Sequence, residues 1–176
     1  GRYAEAKSFY EKTFALDPEK AVYHIRFGGM YIYLSDFNSA LKIFKNASSK
    51  FPKVPEIFYF LAIAARGVGD YDTAFSASQK ALALKADYAD ALALSGSLSF
   101  DRGDYPTAET FLRRAIAVDK RLFNANYDLG KLLFKTKRSE EALKFFQTAA
   151  GIKPNSADVR YQLFLVYSRL KQKEDA

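Results

Sequence analysis

The sequence predicts an all-α solenoid of antiparallel helix pairs, and three observations predict it. Alanine recurs at Ala6, Ala40, Ala74, Ala108, Ala142 and Ala176, always 34 residues apart and with no insertion or deletion between them. A fixed spacing of that length marks a chain built from stacked supersecondary units. The flanking columns keep time with it. Seven residues on stand Thr13, Ala47, Ala81, Ala115 and Ala149, and four residues on stand Tyr10, Phe44, Ser78, Leu112 and Phe146. Punctuation supplies the third observation: Pro18, Pro52 and Pro154 share one column, where proline ends a helix because it cannot continue one.

Numbering each unit so that the alanine falls at position 20 gives units at 21–54, 55–88, 89–122 and 123–156, with a half unit at 1–20 and a partial one at 157–176. A succession of helical segments is expected. The first, over 3–16, is a second helix without its partner. In each full unit a first helix carries its apolar residues at positions 4, 7, 8 and 11, which fall within about 100° of one another on a wheel of 3.6 residues per turn. Phe58, Leu61, Ala62 and Ala65 illustrate the face. Position 8 is small at Gly28, Ala62, Gly96 and Gly130, so that the first helix can approach the alanine of the second closely. Asp36, Asp70 and Asp104 then stand as N-caps of the second helices. Gly69 and Gly103 serve the turn before them, while Ser35, Lys137 and Lys171 occupy that place without glycine's freedom. The last unit is expected to hold a first helix over 157–170, with Phe164 in place of the small residue.

Period, alanine column, small position 8 and proline stop together resemble the tetratricopeptide repeat family, over the whole chain. The resemblance implies a right-handed superhelix whose first helices line a concave groove that receives an extended peptide or a partner helix. Positions 2, 5, 9, 12 and 13, opposite the packed face, would line it. Transferred residue by residue, the first full unit offers Ile25 and Tyr33, and the next Tyr59, Ile63 and Arg66. The third offers Ser97 and Phe100, the fourth Asn124, Tyr127, Lys131 and Lys135, and the last Tyr161, Leu165 and Arg169. Tyr59, Tyr127 and Tyr161 share position 5, and Phe100 and Phe134 share position 12. Rings placed there give large contact area at low entropic cost, the property of interface anchors. The carboxylate clamp of the family's chaperone-binding members is not expected, since Ile25 and Gly29 stand where lysine and asparagine belong.

Other function classes find little support. The chain lacks cysteine, which excludes a disulfide framework and thiolate metal sites and fits a cytoplasmic setting, the one favoured, as well as a bacterial periplasm. The only histidine, His24, falls at core position 4. Gly67-Val68-Gly69 follows a helix rather than a strand and lacks the rest of a phosphate loop. No catalytic residue, cofactor or metal is expected, and no apolar run approaches the ~18 residues that a membrane span needs. The net charge of +7 gathers in 21–54 and 123–156 and forms no continuous basic stripe, so specific nucleic-acid binding is not expected. The expected function is a non-catalytic scaffold that binds a protein or peptide in its groove. The alternative is the substrate-docking region of a larger enzyme, such as a glycosyltransferase or kinase. Self-association is also expected, through Tyr3, Ala6 and Tyr10 at one end and Leu163, Phe164 and Tyr167 at the other, where helix faces suited to burial lack a neighbouring helix.

Overall fold

The computed structural model describes residues 19–174. Among the described residues there are nine α-helices and no strand: α1 (Ala21–Tyr33), α2 (Phe37–Lys50), α3 (Pro55–Gly67), α4 (Tyr71–Leu84), α5 (Ala89–Asp101), α6 (Tyr105–Val118), α7 (Phe123–Lys135), α8 (Ser139–Ile152) and α9 (Ala157–Glu174). The helix expected over 3–16 lies outside them. The chain gathers into two compact units, one running to Ala86 and the other from Asp87.

Local chemistry sets where the helices start and stop. The carboxylates of Asp36, Asp70 and Asp104 accept hydrogen bonds from the backbone amides of Ser39, Thr73 and Thr107, at 3.1, 3.1 and 3.2 Å. Each thereby satisfies an amide that has no partner inside its helix. The preceding turns close by one device. The amides of Asp36, Asp70, Asp104 and Arg138 reach back to the carbonyls of Tyr31, Ala65, Ser99 and Leu133 at 2.8–3.0 Å, around a residue with positive φ. Gly69 and Gly103 hold φ of 83° and 79°, whereas Ser35 and Lys137 hold 59° and 64° against the preference of an L side chain. The expected turn at Lys171 does not form, and α9 continues through it to Glu174. Lys171 and Gln172 are both good helix formers and carry the helix on.

In the first unit, α1 packs on α2 and α3, and α3 packs on α2 and α4. Ala40, Ala47, Ala74 and Ala81 are wholly buried in these crossings. A methyl group added to Gly28 would stand 2.5 Å from the Phe44 ring, so the small residue at position 8 makes room for the side chain at position 24, not only for the alanine at position 20. Phe44 in turn stacks on Phe60 with ring centres 5.5 Å apart. Gly67 abuts the Phe37 ring, so its lack of a side chain serves packing as well as the turn. His24 is buried edge-on to Phe51 at 5.1 Å, the structural place expected of it.

The second unit repeats the scheme. Ala108, Leu112, Leu129, Leu132, Leu133, Ala142, Phe146 and Val166 are buried together, from α6, α7, α8 and α9. A methyl group on Gly130 would stand 2.7 Å from Phe146, and one on Gly96 would stand 2.6 Å from Leu112 and 3.2 Å from the Ala108 carbonyl oxygen. Helix α7 packs on α5, α6, α8 and α9. Of the α9 residues suited to burial, Leu163 is half-buried against the core while Phe164 and Tyr167 are 63% and 51% exposed. Residues Tyr3, Ala6 and Tyr10 lie outside the described part of the chain.

Replacing Ala74 or Ala108 by leucine inserts three heavy atoms into a helix crossing with no free space. Each substitution is expected to destabilise the fold by about 1–3 kcal/mol, read as a lower urea midpoint at unchanged slope. Unchanged midpoints for both would show that the alanine column lies off the crossing.

Candidate interaction site

In the first unit the expected binding residues lie on the faces of α1 and α3 that the packing columns leave over. Tyr33 is 74% exposed at the end of α1, and Ile25 is half-buried nearer its start. On α3, Tyr59, Ile63 and Arg66 are half-buried, and the Tyr59 ring meets Phe60 edge-on at 5.1 Å. Rings and aliphatic stems are thus displayed while their bases are held by the core.

The second unit brings four of its nine expected residues around one hollow of about 630 Å³, lined by Phe100, Lys131, Phe134, Lys135, Lys137, Gln162 and Arg169. Phe100 comes from the end of α5, Lys131, Phe134 and Lys135 from α7, and Gln162 and Arg169 from α9. The Lys131 ammonium sits 5.4 Å from the centre of the Phe100 ring and 5.7 Å from that of Tyr127, within reach of the negative ring faces. The Arg169 guanidinium stacks on Phe134 at 3.6 Å and donates to the Phe134 carbonyl oxygen at 2.8 Å. That bond adds a second donor to a carbonyl that already accepts from the Lys137 amide at 3.2 Å, and it fixes the plane of the guanidinium. Tyr127 stacks on Phe123 at 5.8 Å and meets Phe146 edge-on at 5.9 Å. Burial, with the negative charges of Asp158 and Asp128, pushes its phenol above the ordinary tyrosine value, and a hydrogen bond with Gln162 opposes them.

Asn124 and Tyr161 are exposed at the starts of α7 and α9, and Leu165 is half-buried on α9. Ser97 departs from the expectation, being only 7% exposed. Its short side chain stays close to the α5 backbone in a stretch, 91–99, that is buried throughout, so it presents no surface. Two lining residues were not anticipated by the column rule. Gln162 stands at position 6, which on the helical wheel adjoins position 13, and a wider arc would have included it. Lys137 is in the turn, and only its left-handed backbone directs it here.

Beside this hollow lies a second, of about 360 Å³, which Lys137 and Arg169 also line together with Arg138, Glu140 and Glu141, and there Arg138 and Glu141 are paired. Arg138 stands where three other units carry an aspartate cap; it grips Glu141 through two bonds of 2.7 and 2.8 Å and Glu109 through two of 3.0 and 2.8 Å. Arg113 donates to Glu109 at 2.8 Å. The hydrogen bond from Arg138 holds the Glu141 carboxyl below its ordinary value. At Glu109 burial pulls upward, but the bonds from Arg113 and Arg138 outweigh it and hold that carboxyl low as well. Among the described residues no group of three or more His, Cys, Asp or Glu is placed to hold a metal ion, and no helix is long and apolar enough to cross a membrane.

Tetratricopeptide repeat profiles match residues 31–89 and 61–121 in one case and 99–163 in another, and the chain belongs to the tetratricopeptide repeat family. Anaphase-promoting complex subunit 3 of Schizosaccharomyces pombe is 30% identical over 125 residues, covering 71% of this chain but 19% of its own length. Among solved structures, TTC0263, a thermophilic repeat protein of Thermus thermophilus, superposes with a TM-score of 0.80 at 22% identity, over 95% of this chain and 91% of that one. The anaphase-promoting complex hetero-tetramer Cut9-Hcn1 gives 0.89 at 21% identity, over 97% of this chain and 34% of that one. The chain thus spans about a fifth of the length of its curated relative, and the structural likenesses speak for the fold.

The Arg138 network gives a pH dependence of known sign. Carboxylates whose folded pKa is depressed contribute stability above the unfolded value of about 4.3 and lose it as pH falls through the folded value. Arg138→Ala is therefore expected to be less stable than the parent at pH 7, with the difference shrinking below about pH 4 as the carboxylates protonate. Denaturant melts at pH 7 and pH 3 check this; a difference that stays constant would remove Glu109 and Glu141 from the account.

Proposed function

We propose that this chain is a non-catalytic interaction scaffold that holds an extended segment or a helix of another protein against the exposed faces of its first helices. One observation carries the reading: the columns that stack the helices use up positions 4, 7, 8 and 11, and the remaining faces still display large side chains at Tyr33, Tyr59, Tyr127 and Tyr161, with cations at Arg66, Lys131, Lys135 and Arg169. Tyr59 and Tyr127 are each half-buried, with rings braced by Phe60 and Phe123. A ring held this way loses little entropy when a partner covers it. Similarity to a protein named as a subunit of the anaphase-promoting complex, an assembly of several chains, supports the same reading.

A photoreactive amino acid placed at position 59 or 127 in the full-length protein is expected to capture a defined segment of a partner, whereas one at Lys42 captures none. Against that partner, Tyr59→Ala with Tyr127→Ala should weaken binding at least tenfold at unchanged helicity, and Lys42→Ala less than twofold. Equal losses from the tyrosine pair and from Lys42 would reject the first-helix faces as the site.

A further inference from the structure

We infer that the hollow of the second unit receives an acidic stretch of the bound polypeptide, its side-chain carboxylates lying along Lys131, Lys135, Lys137 and Arg169. The inference rests on the interaction-scaffold reading and names the chemistry of what one face holds. Of the seven residues lining the hollow four are cationic, two are phenylalanine, one is glutamine and none is acidic. Charge pairing separates these cations from others nearby. Arg113 and Arg138 are matched with Glu109 and Glu141, whereas among the described residues Lys131, Lys135, Lys137 and Arg169 make no ion pair. The charge on Lys131 is met only by ring faces, and that on Arg169 by one carbonyl oxygen and a ring. Neither arrangement cancels a positive charge, and although Lys137 and Arg169 also border the neighbouring hollow that holds Glu140 and Glu141, Lys131 and Lys135 do not, so the hollow keeps a field that an anionic ligand would neutralise.

A backbone observation points the same way. Lys137 holds a φ of 64° at the place where Gly69 and Gly103 serve the equivalent turns. A lysine there works against the local backbone preference, and strain of that kind gathers at functional positions. Spacing then favours an extended peptide. Lys131 and Lys135 are one helical turn apart, a rise of about 6 Å, while alternate side chains of an extended chain recur every ~6.6–6.8 Å. Carboxylates on alternate residues can therefore meet successive lysines, and the methylene stems of the same acidic side chains lie along Phe100 and Phe134, the rings that carry Lys131 and Arg169. Asp158 and Asp128, which act on Tyr127, place negative charge on that side and would turn the acidic residues toward Lys135, Lys137 and Arg169.

The test uses the 176-residue chain and a fluorescent nonapeptide with both termini blocked, in which four glutamates alternate with leucine and serine between glycines, together with its glutamine twin. Blocked termini remove any contribution from a chain-end carboxylate. Fluorescence anisotropy is expected to show the acidic peptide binding at least tenfold more tightly than the twin, with affinity falling as salt rises. Lys131→Glu with Lys135→Glu should cost at least another tenfold, and Arg169→Gln at least threefold. Lys137→Gly should weaken binding at least twofold while the melting temperature stays level or rises, which keeps the test decisive if the charge reversal fails to fold. Lys42→Glu with Lys53→Glu, in the first unit, should change binding less than twofold. Equal affinity for the glutamine twin would overturn the acidic assignment and leave the scaffold reading standing. Equal loss from the Lys42 and Lys53 pair would overturn it by showing diffuse attraction. Tenfold tighter binding of a phosphoserine version or of oligouridylate would overturn it in favour of a phosphate ligand.

Discussion

The fold depends on one crossing, repeated in every unit, where a first helix meets its own second helix with almost no side chain between them. Position 20 supplies a buried alanine, and position 8 supplies the gap into which the residue at position 24 fits. The two columns compensate each other in volume. Glycine at Gly28 and Gly130 faces the rings of Phe44 and Phe146, and Gly96 faces Leu112. Where position 8 is the larger Ala62, position 24 shrinks to Ser78, whose hydroxyl bonds to the Phe75 carbonyl at 2.8 Å. Interiors packed to crystal-like density leave little choice, since a methyl group gained on one side must be given up on the other.

That constraint also decides what the surface can be. Once the packing columns are filled, positions 2, 5, 9, 12 and 13 of the first helices are packed on one side only where they hold large residues, as Phe100, Tyr127 and Phe134 are against the core, and their outer faces can be chosen for a partner. In the second unit they include Tyr127, Lys131, Phe134 and Lys135, with Phe100 and Arg169 reaching in from the helices on either side. Aromatic rings there do two things. They offer apolar area, and they hold the lysine and arginine heads by cation–π contact without neutralising them. The paired charges of Arg113, Arg138, Glu109 and Glu141 do the opposite and tie α6 to α8.

Much of this could be read from the residues because each repeated feature has a local cause. The Asp36, Asp70 and Asp104 caps, the positive φ at Gly69 and Gly103, and the buried alanines follow from rules that act within a few residues or within one period. Failures came where the cause lay outside that range. The helix over 157–174 outran its expected end through residues that are good helix formers, and the period alone does not reveal this. Ser97 satisfied the column rule yet is buried, since a wheel assigns direction but not the depth to which a short side chain is covered. Lys137 escaped the site assignment because a turn has no wheel, and Gln162 because the arc was drawn too narrowly.

The central claim is that residues released from packing on α7 and α9 form the binding surface, and lysine NMR tests it most directly. Reductive methylation with ¹³C gives each lysine its own resonance while keeping its charge. Titration with the blocked acidic peptide is predicted to shift Lys131, Lys135 and Lys137 together, saturably, and to leave Lys42, Lys45, Lys50 and Lys53 in place. Uniform small shifts at all lysines, or shifts confined to the first unit, would contradict the account.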